Sequence, residues 1–521
     1  MYKAVVAAIF LIGMSAFAEV KPADIFTNFS MLQRNESVHV WGTADPGETV
    51  TVEFAGQTKT AETSASGEWM VTLDPMPASS EPRKMTIRSS SNPPIQYSNV
   101  LVGEVWFAGG QSNMQTTMGY YKKTSQPDID SANDPFLRLV TIPTKFYEGH
   151  NNKKPQWKDS NPDTVREFSA TAYYFAKNLR ETLDVPVGII SCAIGGTPAE
   201  AWISREVLEN NPKMKPTLEG YEAAYHNAFS NEAAYLQYTE DFNKESTQWY
   251  RDRNAGKEVG PRPKPKMGPR HFKRPSGLYE NMFLSAVPYT VRGVIWYQGE
   301  ENASSPAGAV YRTVFSELIK NWREQFRNDK LPFLFVQLAT VGNGDDKSGV
   351  WPELRESQKW VDEHVDNTGM IVLADGGERK SVHPHSKDKA GYRLSLLARN
   401  MVYGETNLVC RGPELQNVEK KPGCLELTFD HVGSGLILKP VQDVAFEVCG
   451  PDGKYVPAES RLENGKIIVS AESVPNPQYV RYGWYKWFTP ILYNEEDLPA
   501  SPFRTDSFPA ASEERYYLDK G

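Results

Sequence analysis

Beyond its first residues the chain has no apolar stretch long enough to cross a bilayer, and it carries no excess of basic charge. A formal net charge of -8 argues against nucleic acid or an anionic membrane surface as a partner. Cysteine is scarce: Cys192, Cys410, Cys424 and Cys449 are the only four in 521 residues, and none sits in a CxxC or metal-ligand spacing. That excludes a zinc ribbon or a dense disulfide framework. Cys192, inside VGIISCAIGG, reads as a buried core thiol, whereas the spacing of Cys410 and Cys424 suits a bridged hairpin. No internal repeat stands out. What is present is 40% hydrophobic and 12% aromatic residues, with 38 glycines and 37 prolines, the make-up of a globular chain rich in turns. Its length exceeds one ordinary core and predicts two or three domains.

The start has a pattern of its own. Met1-Tyr2-Lys3 is a short basic opening, Ala4 to Met14 are apolar, and Ala16-Phe17-Ala18 fits a small-x-small cleavage site before Glu19. Residues 1–18 therefore read as a secretory signal peptide, too short for a membrane span. No cysteine follows the site to carry a lipid. The expected product is exported, either secreted or periplasmic.

Residues 19–100 alternate with period two in VHVWG, TVTVEF, GEWMVTL and RKMTIRS, with turn clusters between them. This predicts an N-terminal antiparallel β-sandwich. From 101 to 405 the pattern changes. Apolar strand candidates at 102–108, 187–192, 292–297, 333–338 and 369–374 alternate with helical periodicities. One of those helices follows a capping-box spacing at Thr164 and Glu167, and the others cover 310–322 and 387–403. Strands alternating with helices predict an α/β fold, a parallel sheet covered on both faces. Residues 205–275 interrupt it with an aromatic-rich helical excursion ending in GPRPKPKMGPR, either a wall of a substrate cleft or a plain surface insertion. From 406 to 521 short strands return, in a C-terminal β-rich domain.

Polar residues gather where these strands end: GGQSNM, AIGGTPAEAW, YQGEENA and ADGGERKSVHPH. In parallel sheets a site forms beyond the carboxyl ends of the strands. Ser112 is a poor nucleophile until a base takes its proton, and His383 suits that task near neutral pH. Attack on an ester carbonyl builds negative charge that needs fixed donors, which the Ser112 N–H, the Gly196 N–H and the Gln298 amide could supply. Each loop also has a plainer reading. Gln298 and Glu300 could satisfy backbone groups, and His383-Pro384-His385 could be a loop or a partial metal site lacking its remaining ligands.

In their order, the blocks GQSNM, GGTPAEAW, WYQGE and VHP…K…GYRL resemble the sialate O-acetylesterase group of SGNH-type hydrolases. The likeness extends to MLQRNESVHVWGTADPGETVTV near the start and VRYGWYKWFTPILYNEEDLPASPFRTD near the end, so it spans nearly the whole chain after residue 18. It implies an SGNH-like three-layer α/β/α domain with Ser112 as nucleophile, His383 as base and Gly196 in the oxyanion hole. Gln298 stands where many SGNH enzymes use asparagine. The pattern departs before the histidine, where Lys380 and Ser381 occupy the positions at which relatives carry aspartate. The acid that normally orients the imidazole is then Glu300, Asp375 or Glu378, or the site is a Ser–His dyad held by a backbone carbonyl.

The expected activity is a serine esterase removing O-acetyl groups from carbohydrate, with sialic acid the substrate that the resemblance implies and no metal or organic cofactor required. Deacetylation of xylan or xyloglucan is the alternative, followed by a carbohydrate-binding protein on the same scaffold. Tyr120-Tyr121 could stack on sugars in any of these cases. A sialic acid carboxylate calls for a cation in the cleft, and Arg166, Arg274 and Arg312 are candidates.

Overall fold

The computed structural model describes residues 19–90, 93–304, 308, 310–342, 349–440, 443–509 and 512; the expected signal peptide lies outside them. The first strands are short and alternate as their sequence does. Val38–Thr43 pairs with Glu68–Leu73 and Lys21–Pro22, while Thr49–Phe54 pairs with Gln57–Glu62 and Ser79–Arg88. Val38, Val40, Val50, Val52 and Phe54 are buried in one shared core, as two facing sheets require.

The second of these sheets does not close on itself. Its last strand, β1 (Ile95–Gly110), is 16 residues long and passes from this unit into the middle of the central sheet. Its first part pairs with Ser79–Arg88, and its last residues pair with two parallel neighbours. One hydrogen-bonded sheet of 11 strands results, so the expected boundary at residue 100 falls inside a single strand.

The central part comprises β1, β2 (Asp134–Thr141), β3 (Lys158–Ser160), β4 (Val187–Ala193), β5 (Gly293–Tyr297), β6 (Phe333–Val336) and β7 (Thr368–Ile371). They lie in the order β3-β2-β4-β1-β5-β6-β7, all parallel except the edge strand β3, which makes the sheet mixed. Successive side chains point to opposite faces. Phe107, Trp296 and Phe335 meet helices α2 (Tyr311–Gln325) and α3 (Val350–His364) on one face. Trp106, Tyr297 and Val336 meet α1 (Ala170–Leu183) and α4 (Lys387–Met401) on the other.

The cap of α1 differs from expectation. Ser169 Oγ accepts the Ala172 N–H at 3.2 Å, whereas Thr164 serves a separate short helix, Pro162–Arg166, whose cap is Asn161. Both helices end up capped, each by the polar residue just before its own first turn.

The excursion folds as Lys215–Ala228 and Glu232–Asn254 followed by an irregular segment. Beyond α4 the chain forms small antiparallel sheets, the largest from Glu414–Lys421, Cys424–Asp430, Glu459–Glu463 and Lys466–Ser470. All four cysteines are free, so Cys410 and Cys424 are not bridged. No helix among the described residues is long and apolar enough to cross a membrane.

Candidate active site

At the end of β1 the chain turns abruptly. Gly110 has φ 139°, and a Cβ there would lie 2.2 Å from the Tyr297 carbonyl oxygen, so only glycine lets β1 and β5 end side by side. The next six residues, QSNMQT, leave the sheet; Thr116 Oγ1 donates to the Ser112 carbonyl at 2.5 Å within the turn, and Gln111, Asn113 and Gln115 reach neighbouring loops. Gln111 Oε1 accepts N–H groups of Gly299 at 3.4 Å and Glu301 at 3.1 Å, fastening the loop after β5. Gln115 Oε1 accepts the Gly195 N–H at 2.7 Å, fastening the loop after β4. Asn113 donates to Glu300 and, at 3.0 Å, to the Val382 carbonyl, while its own oxygen accepts Lys387 Nζ at 2.6 Å. The loop after β7 is thereby tied in. Ser112 is the exception: its hydroxyl makes no hydrogen bond among the described residues.

The four predicted strand ends therefore do converge. A Cβ built on Gly195 would lie 3.2 Å from Ser112 Cβ, which puts the second loop directly against the serine. Gly196 has φ 68°, in the left-handed region, and neither its N–H nor that of Ser112 has a partner among the described residues. Two unbonded N–H groups beside a serine hydroxyl are the donors that a developing oxyanion needs.

Gln298 does not join them. It is fully buried, with its amide donating to the Thr197 carbonyl at 3.1 Å and to Asn302 Oδ1 at 2.7 Å. Its oxygen accepts the Tyr311 hydroxyl at 2.7 Å. Both amide hydrogens are spent on the scaffold of the Gly195-Gly196 loop, so the expected oxyanion contact is replaced by a bracing one.

His383 stands on the loop after β7. Ser381, one of the two positions at which the resemblance implies aspartate, makes no hydrogen bond to the ring. Its hydroxyl accepts the His383 N–H at 3.0 Å and donates to the His383 carbonyl at 3.1 Å, fixing the backbone instead. Burial, reinforced by the nearby Lys387 ammonium, holds the His383 imidazole below its ordinary pKa, so it is a neutral base at neutral pH. The ring makes no hydrogen bond among the described residues.

None of the proposed acids orients it. Asp375 is clamped by Arg393 at 2.6 and 2.9 Å and by Lys389 at 2.8 Å. Burial alone would raise its pKa, but those cations hold it below the usual carboxylate range. Glu378 accepts both the backbone N–H and the Nδ1 of His385 at 2.7 Å, serving the neighbouring histidine. Glu300 is buried and bonded to Asn113; burial raises its pKa against the pull of Asn113 and Lys387.

A feature that the residue pattern did not single out lies behind these groups. Lys387, the first residue of α4, is only 1% exposed. Its Nζ sits 5.4 and 5.3 Å from the ring centres of Tyr121 and Tyr297, and burial draws its pKa down to about 7. The signal was the lysine inside the VHP…K…GYRL block.

Above the serine the walls are aromatic. Phe272 lies 3.9 Å from a Cβ built on Gly196, Phe146 is 6.0 Å from Phe272 and stacks on His150, and Tyr147 is 5.2 Å from His150. Arg270 lies 4.8 Å over Tyr147 and has no acidic partner among the described residues. The last residues of the excursion reach this wall, while Tyr225, Phe229 and Tyr235 pack on one another. Tyr120, on the turn that follows Ser112, is 64% exposed, but Tyr121 is buried and closed to a sugar. Arg166 packs against Gly119 beside Tyr120. Arg274 is paired with Glu280 at 2.5 Å, and Arg312 faces Trp360 in a separate cavity that Glu356 and Arg504 also line.

Comparison with known proteins places the chain among carboxylic ester hydrolases acting on carbohydrate. The family profile "Carbohydrate esterase, sialic acid-specific acetylesterase" matches residues 102–239 and 266–402, and the chain belongs to that family. It is 29% identical to the sialate O-acetylesterase of Mus musculus over 94% of this chain and 95% of the relative. The Homo sapiens sialate O-acetylesterase is 26% identical over 92% and 91%. The crystal structure of a carbohydrate acetylesterase from Xanthomonas citri superposes with a TM-score of 0.76 at 30% identity, covering 94% of this chain and all of that one. The profile passes over residues 240–265, which hold most of the helix Glu232–Asn254 and the start of the proline-rich loop.

Proposed function

We propose that the protein is an exported serine esterase that removes O-acetyl groups from sialic acids through an acetyl-serine intermediate, on an SGNH-like catalytic domain. One observation carries the reading: Gln111, Asn113 and Gln115 of the turn after β1 are bonded to other loops and Thr116 to the turn's own backbone, while the Ser112 hydroxyl makes no hydrogen bond among the described residues. Neutral His383 takes the Ser112 proton as Oγ attacks the acetyl carbonyl. The Ser112 and Gly196 N–H groups receive the oxyanion, and the imidazolium then protonates the departing sugar oxygen. Water, activated by the same imidazole, releases acetate.

The substrate class is supported by the family and by the cleft. Phe272 and Tyr120 offer faces for a sugar ring, and unpaired Arg270 offers a bidentate partner for the sialate carboxylate. The aromatic faces serve a neutral acetylated glycan equally well, which keeps xylan or xyloglucan as the second reading. Export rests on the leader pattern of residues 1–18.

The test is acetate release by the mature protein from O-acetylated sialoglycan, acetylated xylan and acetylated xyloglucan, with Ser112→Ala as control. Preference for the sialoglycan, lost in the variant, is expected. Preference for a plant glycan moves the substrate, and turnover retained in Ser112→Ala removes the mechanism.

A further inference from the structure

We infer that Lys387 is a positioning residue for catalysis: through Asn113 it locks the nucleophile turn to the base loop, and its charge acts on His383, whose ring no acid among the described residues orients. The inference rests on the Ser112–His383 reading and adds a group that this reading does not contain.

The placement is costly in itself. A cation at the first residue of α4 faces the positive end of the helix dipole and has lost its water. Surface lysines are never held this way, and buried charges of this kind gather at functional sites. The surrounding contacts show what the ammonium holds. Its Nζ donates to Asn113 Oδ1 at 2.6 Å; the Asn113 amide donates in turn to Glu300 and to the Val382 carbonyl. Asn113 follows Ser112 directly and Val382 precedes His383 directly, so one asparagine side chain spans from nucleophile to base. Lys387 and Glu300 grip its two ends, and Glu300 keeps one oxygen unpartnered and buried. The Tyr121 and Tyr297 rings close the remaining sides.

Lys387 also acts on the imidazole without touching it. The charged and titratable groups around it are Glu300 from the loop after β5, Glu378 and His383 from the loop after β7, Tyr121 from the turn after Ser112 and Tyr297 from β5. A positive Lys387 disfavours the imidazolium, keeping His383 a free base at lower pH. An acid behind the ring does the opposite, so this site is tuned by a cation where a triad uses an anion.

Steady-state kinetics of Lys387→Met, Lys387→Arg and Asn113→Ala with an activated acetyl ester test this, with Ser112→Ala and His383→Ala alongside. Lys387→Met should lower kcat by roughly 10- to 100-fold with KM changed less than about threefold, the signature of an interaction made in the transition state. Its acid limb in kcat/KM should shift to higher pH, and Lys387→Arg should bring the limb back. Asn113→Ala should lower kcat and leave the limb in place; it keeps the test open if Lys387→Met does not fold. The inference is overturned if Lys387→Met leaves kcat and the limb unmoved, or if its activity only tracks the folded fraction seen by circular dichroism. Turnover retained in Ser112→Ala or His383→Ala strikes the underlying reading instead.

Discussion

In the proposed mechanism the hydroxyl of Ser112 must lose its proton to attack, and the surroundings of His383 set the pH at which that happens. Burial and Lys387 both hold the imidazole pKa down. Activity requires the neutral ring, so kcat/KM should fall on acidification only below the ordinary histidine range, with a midpoint under about 6.5. A pH–rate profile with its midpoint above that value contradicts the proposed base. The two histidines of the loop should separate cleanly. His383→Ala should cost roughly 10³-fold or more in kcat, as loss of a catalytic base does, while His385→Ala, half exposed and paired with Glu378, should stay within about threefold. Gln298→Ala belongs to stability. It removes the donor to the Thr197 carbonyl and the acceptor of the buried Tyr311 hydroxyl, and about 2–4 kcal/mol should be lost in chemical denaturation, where Ser112→Ala changes little.

Among elements, the strands were legible because burial on both faces writes them as short apolar runs ending in glycine and polar residues. Those runs placed GQSNM, GGTPAEAW and VHPH at the same end of the sheet, where the structure has them. Side-chain partners were harder to read. Asp375 had the right position for a triad acid, yet Lys389 and Arg393, four residues apart on one face of α4, turn back and claim it. Asn113 and Lys387 are 274 residues apart, a distance over which periodicity carries no information. Gln298 was read from its type alone, and its type does not say where its two hydrogens go. The segment that ends the excursion brings Arg270 to the cleft wall. Arg270→Gln should lower kcat/KM for O-acetylated sialoglycan by about tenfold to a hundredfold, the worth of a charged hydrogen bond, and leave a neutral acetyl ester unchanged. Equal losses on both substrates would deny it a carboxylate.

Across the whole molecule, two buried charged groups fasten the parts that position the site. Glu104, on β1, is fully buried and held by Arg34, by Arg292 at 3.0 Å and by Gln33 at 3.1 Å. Glu104→Ala takes the carboxylate from Arg34 and leaves Arg292 with Glu36 alone, and should cost about 3 kcal/mol, read from a denaturation midpoint. Arg355, on α3, meets no acid among the described residues. It donates to the carbonyls of Leu338, Ala339 and Tyr485 at 2.8 Å and of Lys486 at 3.3 Å, and burial lowers its pKa to about 9, still charged at neutrality. The same C-terminal stretch reaches the base loop, where Arg379 lies 4.5 Å over Trp487. Arg355→Met should loosen both, seen as faster hydrogen exchange around residues 480–488 and in the loop that carries His383.

β1 also sets an order of events at birth. Its first half finds its partners among residues already made, whereas its second half, VWFAGG, waits for β4 and β5. Some 180 residues separate Gly110 from Gly293, which is about ten to forty seconds of ribosomal synthesis. Through that interval the nascent chain displays a half-paired apolar strand ending at the proposed nucleophile, a natural landing place for a chaperone and the first point at which a slowed ribosome would lose the protein to aggregation.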